Sequence, residues 1–207
     1  MTKKELAELI CSALEELYPA AECSLTYEKP YELMIAARLS AQCTDARVNL
    51  VTRQLFEKYT SLEEFARACQ QDIEEIIRPC GLYRTKAKSI CEMTRQLYYE
   101  LGGVIPDTLG ELTKLSGIGR KTANLIMGDI HGKPAIVTDT HCIRISNRLG
   151  LAGSERPEKV EAELRKIVPP KKSSDFCHRL VIFGREYCKA ASPRCGNCPL
   201  GELCKSH

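Results

Sequence analysis

Apolar residues recur along this chain at helical spacing almost throughout, and the two-residue alternation of a half-buried strand is nearly absent. In the first segment Leu6, Leu9, Ile10, Ala13, Leu14 and Leu17 follow the i, i+3, i+4 rhythm, with Lys and Glu on the other face, and Pro19 ends the run. The same reading predicts helices over about 31–40, 45–59, 72–77, 85–101, 107–115, 120–130, 139–149, 157–168 and 174–187. A further helix opens at Ser61-Leu-Glu-Glu64, which reads as a capping box. Gly102-Gly103, Gly132 with Pro134, and Gly150 supply the stops. The expectation is an all-α protein. Its 207 residues are 43% hydrophobic, enough for a real core in one or two domains. The longest apolar run, Leu33 to Ala37, is far short of the roughly 18 residues a spanning helix needs, so no membrane helix is expected. The opening residues lead into an amphipathic pattern and not an apolar signal core, which points to the cytoplasm.

From Cys188 onward the rhythm fails. Pro, Gly, Asn and four cysteines spaced C-x6-C-x2-C-x5-C (Cys188, Cys195, Cys198, Cys204) replace it. A segment this poor in apolar residues cannot offset its ordering entropy by burial, so ligand bonds are the natural source of its structure. Disulfides or free thiols are the plainer reading, and a reducing compartment disfavours the first. Four thiolates suit zinc as well as an iron–sulfur cluster. The spacing, unlike the paired C-x2-C knuckles of most zinc ribbons, tilts the choice toward a 4Fe-4S cluster. The other eight of the twelve cysteines, Cys11, Cys23, Cys43, Cys69, Cys80, Cys91, Cys142 and Cys177, show no metal spacing and read as buried or partly buried apolar residues.

Net charge divides unevenly. Residues 1–107 hold 13 Lys and Arg against 17 Asp and Glu, net −4, and residues 108–207 hold 17 against 10, net +7. Such asymmetry hints at nucleic-acid contact, although a charge run is commonly a solvated face. Within the basic half, Leu115-Ser-Gly-Ile-Gly-Arg-Lys-Thr-Ala123 lies between two predicted helices. Gly117 and Gly119 allow backbone N–H groups to point outward together at a positive helix end, an arrangement that grips phosphate; an ordinary interhelical turn is the plainer alternative. No strand precedes it, so it is not a nucleotide-hydrolysing P-loop. Lys121 falls in the first turn of the following helix, where cations are disfavoured. It is either a solvated lysine or, with Arg120 beside it and partial desolvation, an amine able to attack carbon. Asp139 reads as a helix cap that also keeps a carboxylate ionised, and His141 reads as structural.

Taken together, Leu39-Ser-Ala-Gln-Cys-Thr-Asp45, Gly81-Leu-Tyr-Arg-Thr-Lys-Ala87, the hairpin 115–123, Val137-Thr-Asp-Thr-His141 and the cysteine tail resemble the endonuclease III family of the helix-hairpin-helix superfamily over nearly the whole chain. The resemblance implies a helix-hairpin-helix DNA glycosylase fold: a six-helix domain over 22–133, and a second domain of 1–21 plus 134–207 around one 4Fe-4S cluster, with a cleft between them. It implies Lys121 as nucleophile, Asp139 as assisting carboxylate, Gln42 as the residue filling the gap of an extruded nucleotide and Leu82 as a wedge. Ser40 and Asp45 fall near the lesion pocket. Gly117, Gly119, Arg120, Lys189 and Arg194 are implied DNA contacts. The activity implied is that of a glycosylase and abasic-site lyase of base excision repair, a monomer acting on double-stranded DNA with oxidised pyrimidines or abasic sites, near the nucleoid. Ser116 stands where the hairpin usually has proline, which is expected to loosen the turn. Cys43 stands in place of the common alanine, placing a thiol beside Gln42.

Two alternatives compete. An adenine glycosylase-like enzyme would need a glutamate where this chain has Ala36, Ala37 and Arg38, and would lack Lys121. A non-catalytic iron–sulfur DNA-binding module would have no use for an amine at Lys121.

Overall fold

The computed structural model describes residues 1–206 and is all-helical, with no strand among them. The helices are α1 (Lys3–Leu17), α2 (Pro30–Leu39), α3 (Asp45–Lys58), α4 (Leu62–Arg67), α5 (Gln70–Ile77), α6 (Tyr83–Arg95), α7 (Leu109–Leu112), α8 (Arg120–Asp129), α9 (Thr140–Arg148), α10 (Pro157–Ile167) and α11 (Ser173–Glu186). The chain divides into two compact units, one of Ser24–His131 and one of Met1–Cys23 together with the chain from Gly132 onward.

The unit 24–131 is built around α2. Leu33, Met34, Ile35, Ala36 and Ala37 are all buried, as a helix without a polar face requires, and α3, α6 and α8 pack against it. Several expected boundaries change. The helix expected from Asp107 instead starts after Thr108, whose hydroxyl accepts from the Glu111 N–H, and it ends by Leu112. The helix expected to run to Leu101 leaves α-geometry at Gln96 and finishes as a π-turn over Gln96–Glu100. At Ser61 half of the capping box forms: the Ser61 hydroxyl accepts from the Glu64 N–H, but the Glu64 carboxylate reaches back to Thr60 instead.

In the other unit, α1 lies against α10 and α11 through Leu6, Ala7, Ile10, Cys11 and Leu14. Its stripe is narrower than the periodicity suggests, since Leu9 and Leu17 are exposed. A complete capping box starts it: the Thr2 hydroxyl accepts from the Glu5 N–H at 3.2 Å while the Glu5 carboxylate accepts from the Thr2 N–H at 2.7 Å. The far end of α1 is tied to α11 by the Tyr18 hydroxyl donating to Glu186 at 2.7 Å, and by buried Arg179 donating to the Tyr18 carbonyl at 3.1 Å. Gly184 lets α11 approach α9 closely, because a Cβ there would fall 2.3 Å from His141 Nδ1. His141 in turn faces Arg144 at 3.1 Å.

Candidate functional site

The hairpin sits between α7 and α8, pinned by buried Leu115 and Ile118. Its two glycines differ in what they require. Gly117 has φ +77°, and a Cβ on it would lie 2.7 Å from Arg38 Nε and 2.8 Å from Ser89 Cβ, so both conformation and packing demand glycine. Gly119 has φ −91° and nothing within 4 Å of a Cβ, so nothing inside the protein requires glycine there. It is the N-cap of α8 and provides no side-chain cap, which leaves the orphan N–H groups of that helix end facing outward. Ser116 does not loosen the turn as expected. Its N–H donates to Gln96 Oε1 at 3.0 Å and its hydroxyl to Glu92 Oε2 at 2.7 Å, two anchors that proline could not make.

Arg120 and Lys121 are exposed in the first turn of α8, and that turn contains no acidic residue. Among the described residues Lys121 makes no ion pair. The desolvation expected for it is not supplied by the surrounding protein, because the side chain stands in solvent.

Asp139 is placed by the buried segment Ala135–Val137 that precedes it. The Ala135 N–H donates to Ser173 Oγ at 3.0 Å and the Val137 N–H to Cys177 Sγ at 3.2 Å, so two side chains one turn apart on α11 hold the approach. Asp139 caps α9 with one oxygen, Oδ1, which accepts from the Cys142 N–H at 2.7 Å; the other oxygen takes no part in the cap. The carboxylate is half-buried.

Gln42 and Leu82 share an uncommon backbone. Among the described residues they alone combine a side chain with a left-handed φ, 56° and 48° respectively. Such a conformation costs roughly 1–2 kcal/mol per residue. Both side chains are exposed, Leu82 by 59%, so burial does not repay the strain. Strained, exposed positions of this kind concentrate at ligand clamps. The two loops are joined by Lys86, almost fully buried on α6, whose Nζ donates to the Leu39 carbonyl at 2.8 Å and the Cys80 carbonyl at 2.9 Å. Burial pulls the Lys86 ammonium below its ordinary value, partly opposed by the Cys80 and Cys43 thiols. Ser40 donates its hydroxyl to the Ala37 carbonyl at 2.9 Å, and Asp45, in the first turn of α3, accepts from the Ser24 hydroxyl at 2.6 Å.

The four tail cysteines line one cavity of about 120 Å³, shared with Phe183, Leu149 and Arg148. Two short 3-10 turns, Cys195–Asn197 and Gly201–Leu203, space them. Burial pushes the Cys198 thiol up; the Leu200 N–H pulls it down, and Cys204, Cys188 and Cys195 push it up again, so the other three thiols all act on it. Among the described residues no three His, Cys, Asp or Glu side chains are grouped to hold a single metal ion. Lys189 and Arg194 are exposed on the loop between the first two cysteines, and the Arg194 N–H closes that loop on the Tyr187 carbonyl at 2.9 Å. Of the remaining cysteines, Cys69 corrects the expectation of burial: it is exposed.

Two structural anchors escaped the sequence reading. Lys86 was detectable only as a cation on the apolar face of α6, four residues before buried Ile90. Arg144 and Arg148, one turn apart on α9, clamp the start of the cysteine tail. Arg144 donates to the Cys188 carbonyl at 2.9 Å, and Arg148 donates to Cys188 Sγ at 3.3 Å and to the Lys189 carbonyl at 2.7 Å.

With this geometry in view, comparison with known proteins gives consistent results. The HhH-GPD superfamily base excision DNA repair protein family matches residues 35–170. Endonuclease III of Bacillus subtilis (strain 168) is 43% identical over 199 residues, 96% of this chain and 91% of that protein. Endonuclease III of Synechocystis sp. (strain ATCC 27184 / PCC 6803 / Kazusa) is 42% identical over 206 residues, covering 99% and 94%. A solved structure described as "Structure of a Trapped Endonuclease III-DNA Covalent Intermediate: Estranged-Adenine Complex" is 42% identical, with TM-score 0.92 over 100% of this chain and 97% of that one.

Proposed function

The chain belongs to the HhH-GPD superfamily of base excision DNA repair proteins, and on that premise we propose that it is a DNA glycosylase and abasic-site lyase acting on double-stranded DNA with oxidised pyrimidines or abasic sites. The observation that carries the reading is the exposed amine of Lys121 beside a helix end whose Gly119 no contact within the protein demands. Close approach of a phosphate backbone explains a glycine there. A related endonuclease III has been trapped covalently on DNA, which supports an attacking group in this chain as well.

Chemistry follows from the side chains. The damaged nucleotide leaves the stack at a cost of a few kcal/mol, lower for a poorly paired base. Gln42 fills the vacated space and Leu82 wedges the opposite strand. Duplex DNA covering Lys121 excludes the water that surrounds its exposed side chain in the free protein. Its Nζ attacks C1′ and the base departs; Asp139, with one oxygen engaged in the cap, offers the other to stabilise the developing sugar cation and accept a proton. The Schiff base acidifies C2′, and loss of that proton expels the 3′ phosphate by β-elimination. Gly117 and Gly119, with Arg120, Lys189 and Arg194, bind phosphates, positioning the duplex without reading its sequence. Ser40 and Asp45 border the extruded base.

Cys188, Cys195, Cys198 and Cys204 would hold one 4Fe-4S cluster. Four thiols lining one shared cavity, with Phe183 and Leu149 beside them, fit a group held by four thiolates. When bound, it supplies a rigid tie among the four thiolates, holding Lys189 and Arg194 in one loop shape. A DNA-bound location in the nucleoid-associated cytoplasm accompanies this reading.

Borohydride reduction during reaction with a duplex carrying an abasic or oxidised-pyrimidine site tests it. The wild-type protein should become covalently attached, and Lys121→Ala should lose the adduct while still binding DNA. Absence of any adduct with the wild type would refute the lyase assignment.

A further inference from the structure

Gln42 and Leu82 are held in left-handed backbone although both side chains stand in solvent, and such positions persist only where the surrounding chain over-determines them. Each belongs to a turn with a fixed base. Gln42 is the third residue of a turn closed by the Cys43 N–H donating to the Ser40 carbonyl at 3.1 Å. Leu82 follows the 3-10 turn Arg78–Cys80 and Gly81, itself at φ +68°. Leu39 and Cys80 are the residues on which these turns stand. Their carbonyls accept from one ammonium, that of Lys86, at 2.8 and 2.9 Å, and the Lys86 backbone N–H donates to the Leu82 carbonyl at 3.0 Å. A single residue therefore grips the base of the first loop and both sides of Gly81 in the second.

The two acceptors explain why a cation is kept there. Leu39 ends α2, so its carbonyl belongs to the set that no helical N–H satisfies, at the negative end of the helix. Lys86 is 1% exposed, and among the described residues no carboxylate pairs with it. A buried ammonium is costly to keep, and apolar packing alone is served as well by Met.

We infer that Lys86 is a positioning residue for the DNA-inserting loops: it fixes the turn of Gln42 and the turn of Leu82 at one separation, so that gap filler and wedge enter a duplex together. What the two loops do there rests on the proposed function; the tie between them rests on the hydrogen bonds alone. With Met at this position two carbonyls lose their donor, and each turn is free to relax toward ordinary backbone. The left-handed conformation must then be regained on binding, which lowers affinity by roughly tenfold.

The test compares the full-length wild type with Lys86→Met, and with Lys86→Gln, which keeps an N–H donor on a shorter side chain. Amide hydrogen exchange should rise in segments 40–43 and 80–83 together, while α3 and α8 stay protected. Affinity for an abasic-site duplex should fall roughly tenfold, and a 2-aminopurine opposite the site should brighten less on binding, because the wedge enters less often. In a Gln42→Ala/Leu82→Ala background, adding Lys86→Met should change affinity by less than about twofold. Unchanged exchange in both loops overturns the tie. A loss that persists in full in the double-alanine background shows that Lys86 acts through the fold at large and overturns the positioning role, as does failure of both Lys86 variants to fold. Failure of the wild type to bind lesion duplex would instead count against the proposed function, leaving the exchange result intact.

Discussion

Alanine at Gly117 and at Gly119 should have opposite consequences, although the two positions are a single residue apart in one turn. At Gly117, an L-residue held at φ +77° costs roughly 1–2 kcal/mol. The new Cβ meets Arg38 Nε, Arg38 Cδ and Ser89 Cβ at 2.7–2.8 Å. Arg38 is a long side chain, but its Nη2 donates to Ser89 Oγ at 3.2 Å, and Ser89 Cβ is fixed to the α6 backbone. Crowding of this kind costs roughly 1–3 kcal/mol. Reduced freedom of the unfolded chain returns only about 0.4–1 kcal/mol. The net loss is on the order of 3 kcal/mol, which for a chain of this size lowers the thermal midpoint by roughly 6–12 °C. At Gly119 the backbone is ordinary and the space empty, and the weaker N-cap of alanine is offset by the same unfolded-state gain, so stability should hold within about 0.5 kcal/mol. Urea unfolding followed by helical circular dichroism measures both, and titration of a labelled abasic duplex measures binding. Gly119→Ala should bind lesion DNA weakly while folding normally. If Gly117→Ala unfolds at the wild-type urea concentration, or if Gly119→Ala binds as the wild type does, the division of roles between the two glycines is wrong.

Asp139 permits a similar separation of cap from chemistry. Asn is an equivalent N-cap, so Asp139→Asn should retain wild-type stability while Asp139→Ala loses about 1 kcal/mol, and both should slow base release in single-turnover assays; intact release by Asp139→Asn would remove the carboxylate from the mechanism. Leu82→Gly relieves a left-handed strain of roughly 1–2 kcal/mol, so the variant should be at least as stable as the wild type yet bind lesion duplex less tightly. Stability lost together with binding would contradict this. The Lys172 ammonium lies 2.6 Å from Glu15 and holds its carboxyl below the ordinary 4.5, the hydrogen bond being the larger cause. A lowered carboxyl stabilises the fold above its unfolded value and ceases to do so as pH falls through its folded value. The melting gap between wild type and Lys172→Met should therefore be present at neutral pH and close below 4.5; a gap unchanged in acid would show that the pair is not its source.

What could be read from the chain was what local spacing encodes. The buried run Leu33 to Ala37, the glycine-punctuated hairpin and the four-cysteine tail each announce themselves within a few residues, and the structure places all three in well-defined surroundings. The misses have a common origin in partners that arrive from far along the chain. Lys86 is satisfied by two carbonyls, one of them 47 residues away, and no local pattern specifies that meeting. Ser116 gains its anchors from Glu92 and Gln96, so a departure that looked loosening from the turn alone is compensated by α6 and the π-turn beyond it. Arg148 reaches Lys189 across 41 residues. Cap details failed at shorter range for a different reason: a glutamate three residues after Ser61 can serve either the cap or the residue before it, and Glu64 takes Thr60.

The division of the chain into units has a consequence during synthesis. Residues 24–131 form one continuous stretch and can fold as they leave the ribosome, but α1 belongs with α10 and α11. At about 5–20 residues per second, the ribosome needs roughly 8–30 s after finishing α1 to begin α11. Until α10 and α11 emerge, Leu6, Ile10 and Leu14 lack the surfaces that cover them. A nascent chain carrying this uncovered apolar stripe is a natural client for a holding chaperone, and slowing translation between α9 and α11 should lengthen its exposure.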